Sequence, residues 1–306
     1  MPLKTDSFGR TYIQHLNGQL TYYIHTPCTA SHENPHPATI LIQHGFARHS
    51  GFWTHWIPVL SLNYNVIRRD LRGHGYSSYP HPSSPKQQQN YAYDIPTIIG
   101  EIVDLLDQFG LEKVHFLGES TGGMLGEILA ATYPERVSSL TVCSTPTHLP
   151  PQALALFAFG RQTWPAALRE LGARGWAEEL AKVPGTVPVS DEESMQKYLD
   201  EIGISDGEGL AQYAEFLSTL DARPSLERIQ CPTLILVPTQ SAAVKMEDMK
   251  RLKEKIRECR LVCIEGGGHE IFVTRAEACQ DALLGFLRDT ETERSNERGL
   301  NKKNNL

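Results

Sequence analysis

Residues 114–127, VHFLGESTGGMLGE, pass from aliphatic side chains directly into glycine, serine and threonine, with Ser120 standing between Gly118 and Gly122. The stretch before the serine, KVHFLG, reads as a buried strand, and the stretch after it, GGMLGEILAATYP, has the apolar spacing of a helix. A chain that turns from strand to helix over so few residues has three uses for the turn. It can cradle a phosphate, hold a nucleophile in a strained conformation, or let strand and helix pack closely. A phosphate loop of the form G-x-x-x-x-G-K-[ST] needs lysine after Gly123, where Met124 stands, and the dinucleotide pattern G-x-G-x-x-G needs glycine where Ser120 stands. The pattern G-x-S-x-G fits from Gly118 to Gly122. In such an elbow larger side chains two residues either side of the serine would collide, and the serine oxygen projects above the sheet.

The same alternation extends along the chain. An Asn-Gly dipeptide in TYIQHLNGQLTYYIH predicts a tight hairpin, ATILIQHG and YNVIRRD read as strands, and IPTIIGEIVDLLDQFG reads as a helix closed by Gly110. Further strands are expected at VSSLTVCS, CPTLILV and RLVCIE, with helices at FWTHWIPVLSL, MEDMKRLKEKI and AEACQDALLGFLRD. Strand–helix alternation implies an α/β fold with a parallel sheet covered on both faces. Residues 147–225 break the rhythm, with helical patterns and no convincing strand. They read as a helical insertion between two parts of one core, 1–146 and 226–290, and 291–306 read as a disordered tail.

Of the 306 residues 40% are hydrophobic, enough for a large core, and the net charge of −7 offers no basic patch for nucleic acid. No apolar run is long enough to span a bilayer and the N-terminus lacks the apolar core of a secretory signal, so neither a membrane nor export is expected. Six scattered cysteines, none as C-x-x-C, read as free thiols of a reducing, cytoplasmic compartment. Twelve histidines raise the question of a metal, but GHEIFV lacks the second histidine of H-E-x-x-H and HENPHP has no cysteine partners.

Three more loops bear on Ser120. His44-Gly45 follows the strand at 38–43, making the N–H of Phe46 a natural oxyanion donor, with the N–H of Thr121 at the helix start as the second. RRDLRGHGYSS forms a glycine-rich loop after the next strand, and CIEGGGHE places His269 on a glycine loop after a late strand. A serine hydroxyl is a poor nucleophile unless an imidazole takes its proton, and His269 can serve.

Together HGF…FW, DLRGHGYS, GESTGG, CPTLILV and GGGHE resemble the α/β-hydrolase superfamily over roughly residues 8–290, most of all its enol-lactonase, carboxylesterase and meta-cleavage-product hydrolases. The resemblance implies an eight-stranded, mostly parallel sheet, a helical lid over 147–225 and cofactor-free chemistry, and the expected reaction is cleavage of an ester, lactone or activated C–C bond of a moderately large apolar small molecule. It makes Ser120 the nucleophile, His269 the base, and the N–H groups of Phe46 and Thr121 the oxyanion hole. One departure concerns the acid that orients the histidine. Its expected position falls at or near Ser241, Pro238 stands where glycine is usual, and VCSTPT after the elbow strand has no carboxylate either. Asp248 and Glu247 are the candidate acids, with Glu265 and Glu270 beside the histidine loop; otherwise Ser241, Gln240 or water holds the ring in a dyad. The missing acid keeps a second reading open, a non-hydrolytic protein of the same fold: a receptor, a lyase or a decarboxylase.

Overall fold

Successive residues of a strand face opposite sides, and here both sides are covered. In the computed structural model, which describes residues 3–30, 36–84, 91–187, 191–241 and 244–304, with side chains through Thr292, two apolar layers flank one sheet. Ile40, Ile42, Leu117, Leu234 and Leu236 pack with Trp53, Trp56, Phe272 and Leu287 on one face. Their neighbours Leu41, Phe116, Ile235 and Val237 join Ile98, Ile102, Met124 and Ile128 on the other. Each such aliphatic side chain, removed from water, contributes about 1.5–3 kcal/mol.

The sheet has nine strands in the order β1-β2-β3-β5-β4-β6-β7-β8-β9. They are β1 (Lys4–Thr5), β2 (Thr11–Gln14), β3 (Leu20–Thr26), β4 (Thr39–Gln43), β5 (Asn65–Arg69), β6 (Val114–Glu119), β7 (Val137–Cys143), β8 (Thr233–Gln240) and β9 (Cys259–Gly267). The pairings from β5 through β9 are parallel, and β1, β2 and β3 are antiparallel additions at one edge. The ninth strand, against eight expected, is β1, a polar two-residue edge strand with no hydrophobic alternation to reveal it. The hairpin turn also differs from a two-residue one. His15 N–H donates to Gln19 O, so three residues close the loop, and only Gly18 (φ 84°) takes a positive φ.

The helices are α1 (Ile57–Leu60), α2 (Ile95–Gln108), α3 (Thr121–Thr132), α4 (Pro151–Phe157), α5 (Trp164–Ala181), α6 (Glu192–Ile202), α7 (Gly207–Leu217), α8 (Met246–Lys255), α9 (Ile271–Thr274) and α10 (Ala276–Asn304). Much of FWTHWIPVLSL is a 3₁₀ turn, Ser50–Trp56, leading into α1. Helices α4 to α7 lie between β7 and β8, and Thr163, Asp191 and Asp206 cap α5, α6 and α7 by accepting from backbone amides. This helical segment is tied to the loops after β5 and β4. Gly75 N–H donates to Ser205 Oγ (2.9 Å), and His49 Nε2 lies 3.0 Å from Glu201 Oε2.

Residues 291–304, expected to lack structure, continue α10 instead. No proline interrupts them, and Glu, Arg and Lys are good helix formers. Residues 305–306 and most of HENPHP (32–35) lie outside the described residues. Among the described residues no helix is long and apolar enough to cross a membrane.

Candidate active site

Ser120 joins β6 to α3 with φ 51° and ψ −126°, a conformation that costs a non-glycine residue about 1–3 kcal/mol and persists only where the surroundings impose it. Ser120 N–H donates to Cys143 O and Gly123 N–H to Ser120 O, both at 2.9 Å. The flanking glycines are required by space. A Cβ on Gly118 would stand 2.6 Å from Gly123 Cα, and one on Gly122 2.4 Å from His44 O.

His269 follows β9 on its glycine loop. Gly268 N–H donates to Gln240 O (2.8 Å), and His269 N–H donates to Gly185 O of the helical segment (3.0 Å). These bonds bring His269 Nε2 to 2.9 Å from Ser120 Oγ, across 149 positions of chain. Burial, and after it the positive charge of Arg48, push the His269 pKa down to about 4, so the ring is neutral at pH 7 and free to accept a proton.

The turn after β4 lies against the elbow: a Cβ on Gly45 would stand 2.8 Å from Ser120 Cβ. His44 fixes this turn. Its Nε2 accepts from Leu71 N–H (2.9 Å), which leaves Nδ1 to donate to Gly45 O (2.7 Å). Phe46 comes next, and its ring packs on Trp164 (4.4 Å between centroids), His74 (5.2 Å) and Trp176 (5.4 Å). Thr121, the first residue of α3, is buried beside Ser120, where the helix dipole favours negative charge.

The candidate acids do not reach the ring. Helix α8 buries Met249 and Leu252, which turns Glu247 and Asp248 outward; Asp248 is 56% exposed, with Arg251 as its ion partner. Glu265 is exposed as well. Glu270 is buried but engaged, accepting from Arg48 Nε at 2.9 Å. Ser241 Oγ accepts from Val244 N–H (3.2 Å), and Gln240 is exposed at the end of β8. Among the described residues nothing hydrogen-bonds His269 Nδ1.

The structure adds groups that the motif reading passed over. Arg48 is buried with Glu270 and faces the Tyr198 ring of α6 at 4.8 Å. Burial opposes the Arg48 charge, but Glu270 outweighs it and holds the guanidinium above its ordinary pKa. Glu119, within the elbow itself, is 2% exposed. A carboxylate closing an otherwise apolar strand was the available signal for it. Among the described residues no group of three His, Cys, Asp or Glu is placed to hold a metal ion.

A family model described as the alpha/beta hydrolase fold matches residues 38–276, well over half of the chain. The chain belongs to the α/β-hydrolase family. A relative from Pseudomonas savastanoi pv. phaseolicola, named as a carbamate hydrolase, RutD, is 26% identical over 81% of this chain and 93% of its own. The 3-oxoadipate enol-lactonase 2 of Acinetobacter baylyi is 28% identical over 81% of this chain and 88% of its own. Among solved structures, the enol-lactonase from Burkholderia xenovorans LB400 superposes with a TM-score of 0.75 at 23% identity, covering 90% of this α/β-hydrolase and 99% of that chain. The last likeness concerns the fold.

Proposed function

We propose that this α/β-hydrolase is a cofactor-free serine hydrolase acting on an ester or lactone carbonyl of a moderately large apolar small molecule. The observation that carries the reading is the 2.9 Å approach of His269 Nε2 to Ser120 Oγ at a strained strand-to-helix turn. Ser120 Oγ attacks the carbonyl carbon while its proton passes to Nε2. The carbonyl electron pair moves onto oxygen, where the N–H groups of Phe46 and Thr121 receive it. The tetrahedral intermediate then collapses, the bond to the leaving oxygen breaks, and Nε2 returns the proton to that oxygen. Water, deprotonated by the same nitrogen, cleaves the acyl-enzyme and regenerates the serine.

The names of the relatives, a carbamate hydrolase and an enol-lactonase, support hydrolysis at a carbonyl carbon, and the enol-lactonase supports one activated by its leaving group. His269 Nδ1, which has no hydrogen-bond partner among the described residues, supports the same choice. With no carboxylate on the Nδ1 side of the ring among the described residues, turnover depends on a leaving group that needs little protonation, as in an enol ester or activated lactone. Residues 147–225 act as the lid in this reading, with Phe157, Trp164 and Trp176 around Phe46 as the apolar wall that selects the acyl or alcohol part. The free cysteines accord with a reducing compartment such as the cytoplasm.

The lack of a partner for Nδ1 among the described residues also favours a second reading, a protein of this fold that binds a small molecule without acyl transfer. A fluorophosphonate probe separates the two. Covalent capture at Ser120, with loss of p-nitrophenyl butyrate turnover in Ser120→Ala, is the expected result. No capture by the folded protein, or full turnover by Ser120→Ala, overturns the hydrolase reading.

A further inference from the structure

Glu119 occupies an unusual place for a carboxyl group. Its Oε1 lies 3.5 Å from His269 Nε2, the same nitrogen that faces Ser120 Oγ, and its Oε2 accepts the Gly45 N–H at 2.9 Å. It therefore touches both halves of the apparatus, the base and the turn that carries the Phe46 amide. The opposite ring nitrogen, Nδ1, has no hydrogen-bond partner among the described residues.

We propose that Glu119 is the positioning carboxylate of this site, stabilising the His269 imidazolium from the Nε2 side and holding the oxyanion turn through Gly45. The proposal rests on the serine-hydrolase reading above. When Ser120 Oγ bonds to the carbonyl carbon and its proton moves to Nε2, a positive charge appears on the ring beside Glu119 Oε1. A negative carboxylate there lowers the energy of that state; a protonated one does not.

Every charged or titratable group that faces Glu119 bears on when it is ionised. Glu270 and His269 approach from the loop after β9, Arg48 and the Gly45 amide from the turn after β4, the Cys143 thiol from the end of β7, and the Tyr198 hydroxyl from α6. Burial, and after it the negative charge of Glu270, raise Glu119 to about 8, against the opposing pull of Arg48 and the Gly45 N–H. The carboxyl is accordingly protonated through neutral pH and ionises as the solution becomes mildly alkaline. Its ionisation in turn raises the basicity of the nearby imidazole.

The test is the pH profile of p-nitrophenyl butyrate hydrolysis and of fluorophosphonate capture, each corrected for background, from pH 6 to pH 10. The parent protein is expected to show kcat/KM and capture rate climbing roughly tenfold through a step near pH 8, where Glu119 ionises. In Glu119→Gln, which keeps the oxygen facing Gly45 and loses the charge, that step is absent and kcat falls while KM stays within about twofold. Glu119→Asp, which keeps the charge at shorter reach, regains part of the step. A parent profile flat across this range, or a Glu119→Gln profile that superimposes on it, overturns the inference. The parent measurement stands even if a variant fails to fold. If the parent captures no probe at Ser120, the serine reading itself fails; capture without the step removes only the role of Glu119.

Discussion

Replacing Gly122 by alanine tests whether the elbow is held by backbone contact rather than by local preference alone. The added Cβ would stand 2.4 Å from His44 O and 2.6 Å from Gln43 O, and ordinary contact begins at 3.4 Å, so α3 and the end of β4 must part by about 1 Å. Both contacts are main-chain atoms of a buried strand end, which cannot swing aside as a side chain would. Overpacking of this kind costs about 1–3 kcal/mol, and at about 2–4 °C per kcal/mol the melting temperature falls by roughly 2–12 °C. In the proposed serine-hydrolase reading, a shift of that size also displaces the turn carrying the Phe46 amide relative to Ser120, and it costs on the order of a hundredfold in turnover.

Gly100, inside α2, is the matching control, since a Cβ there meets nothing within 4 Å. Gly100→Ala is expected to gain about 0.5–1 kcal/mol from reduced freedom of the unfolded chain and to leave turnover alone. Calorimetry and p-nitrophenyl butyrate kinetics on both variants decide the matter. The reasoning is refuted if Gly122→Ala melts and turns over like the parent, or if Gly100→Ala loses as much as Gly122→Ala.

Two other perturbations probe the buried charges. Glu270→Ala leaves the Arg48 guanidinium buried at 7% exposure without its carboxylate, and urea unfolding is expected to show a loss of about 3–5 kcal/mol, most of it recovered in the double variant Arg48→Met, Glu270→Leu. Glu127 is fully buried in α3, and among the described residues neither of its carboxyl oxygens has a partner, so burial raises its pKa well above the ordinary 4.5. The folded state thus holds this proton more tightly than the unfolded chain. That contribution is complete below pH 4.5 and is lost as pH rises towards the folded value. Glu127→Gln is expected to remove the loss, so unfolding free energies from urea titrations between pH 5 and pH 8 should fall less steeply than in the parent, by up to about 1.4 kcal/mol per pH unit.

Much of the site is written locally. The elbow at Gly118–Gly122 follows from steric rules that act within five residues, and the strand–helix alternation follows from hydrophobic period. Both can be read along one stretch of chain, which is why the sheet core, the helices and the Ser120 turn lie where the spacing predicts them. Local rules failed where a feature carries no periodicity, as in the two-residue β1 and in the helix of residues 291–304, whose composition suits solvent and helix alike.

Other features belong to the tertiary structure alone. Arg48 and Glu270 meet across 222 positions, and Glu119 becomes a buried acid with its pKa pushed up to about 8 by burial and by the charge of Glu270. In sequence Glu247, Asp248, Glu265 and Glu270 were equally plausible as the histidine's partner, since a carboxylate carries no mark of the direction it faces. The phase of α8, set by burying Met249 and Leu252, turned two of them to solvent, and Arg48 claimed a third. Covalent geometry and side-chain periodicity act over a few residues and are inscribed in the chain. Burial and electric field are sums over distant segments, and they exist only once the chain has folded.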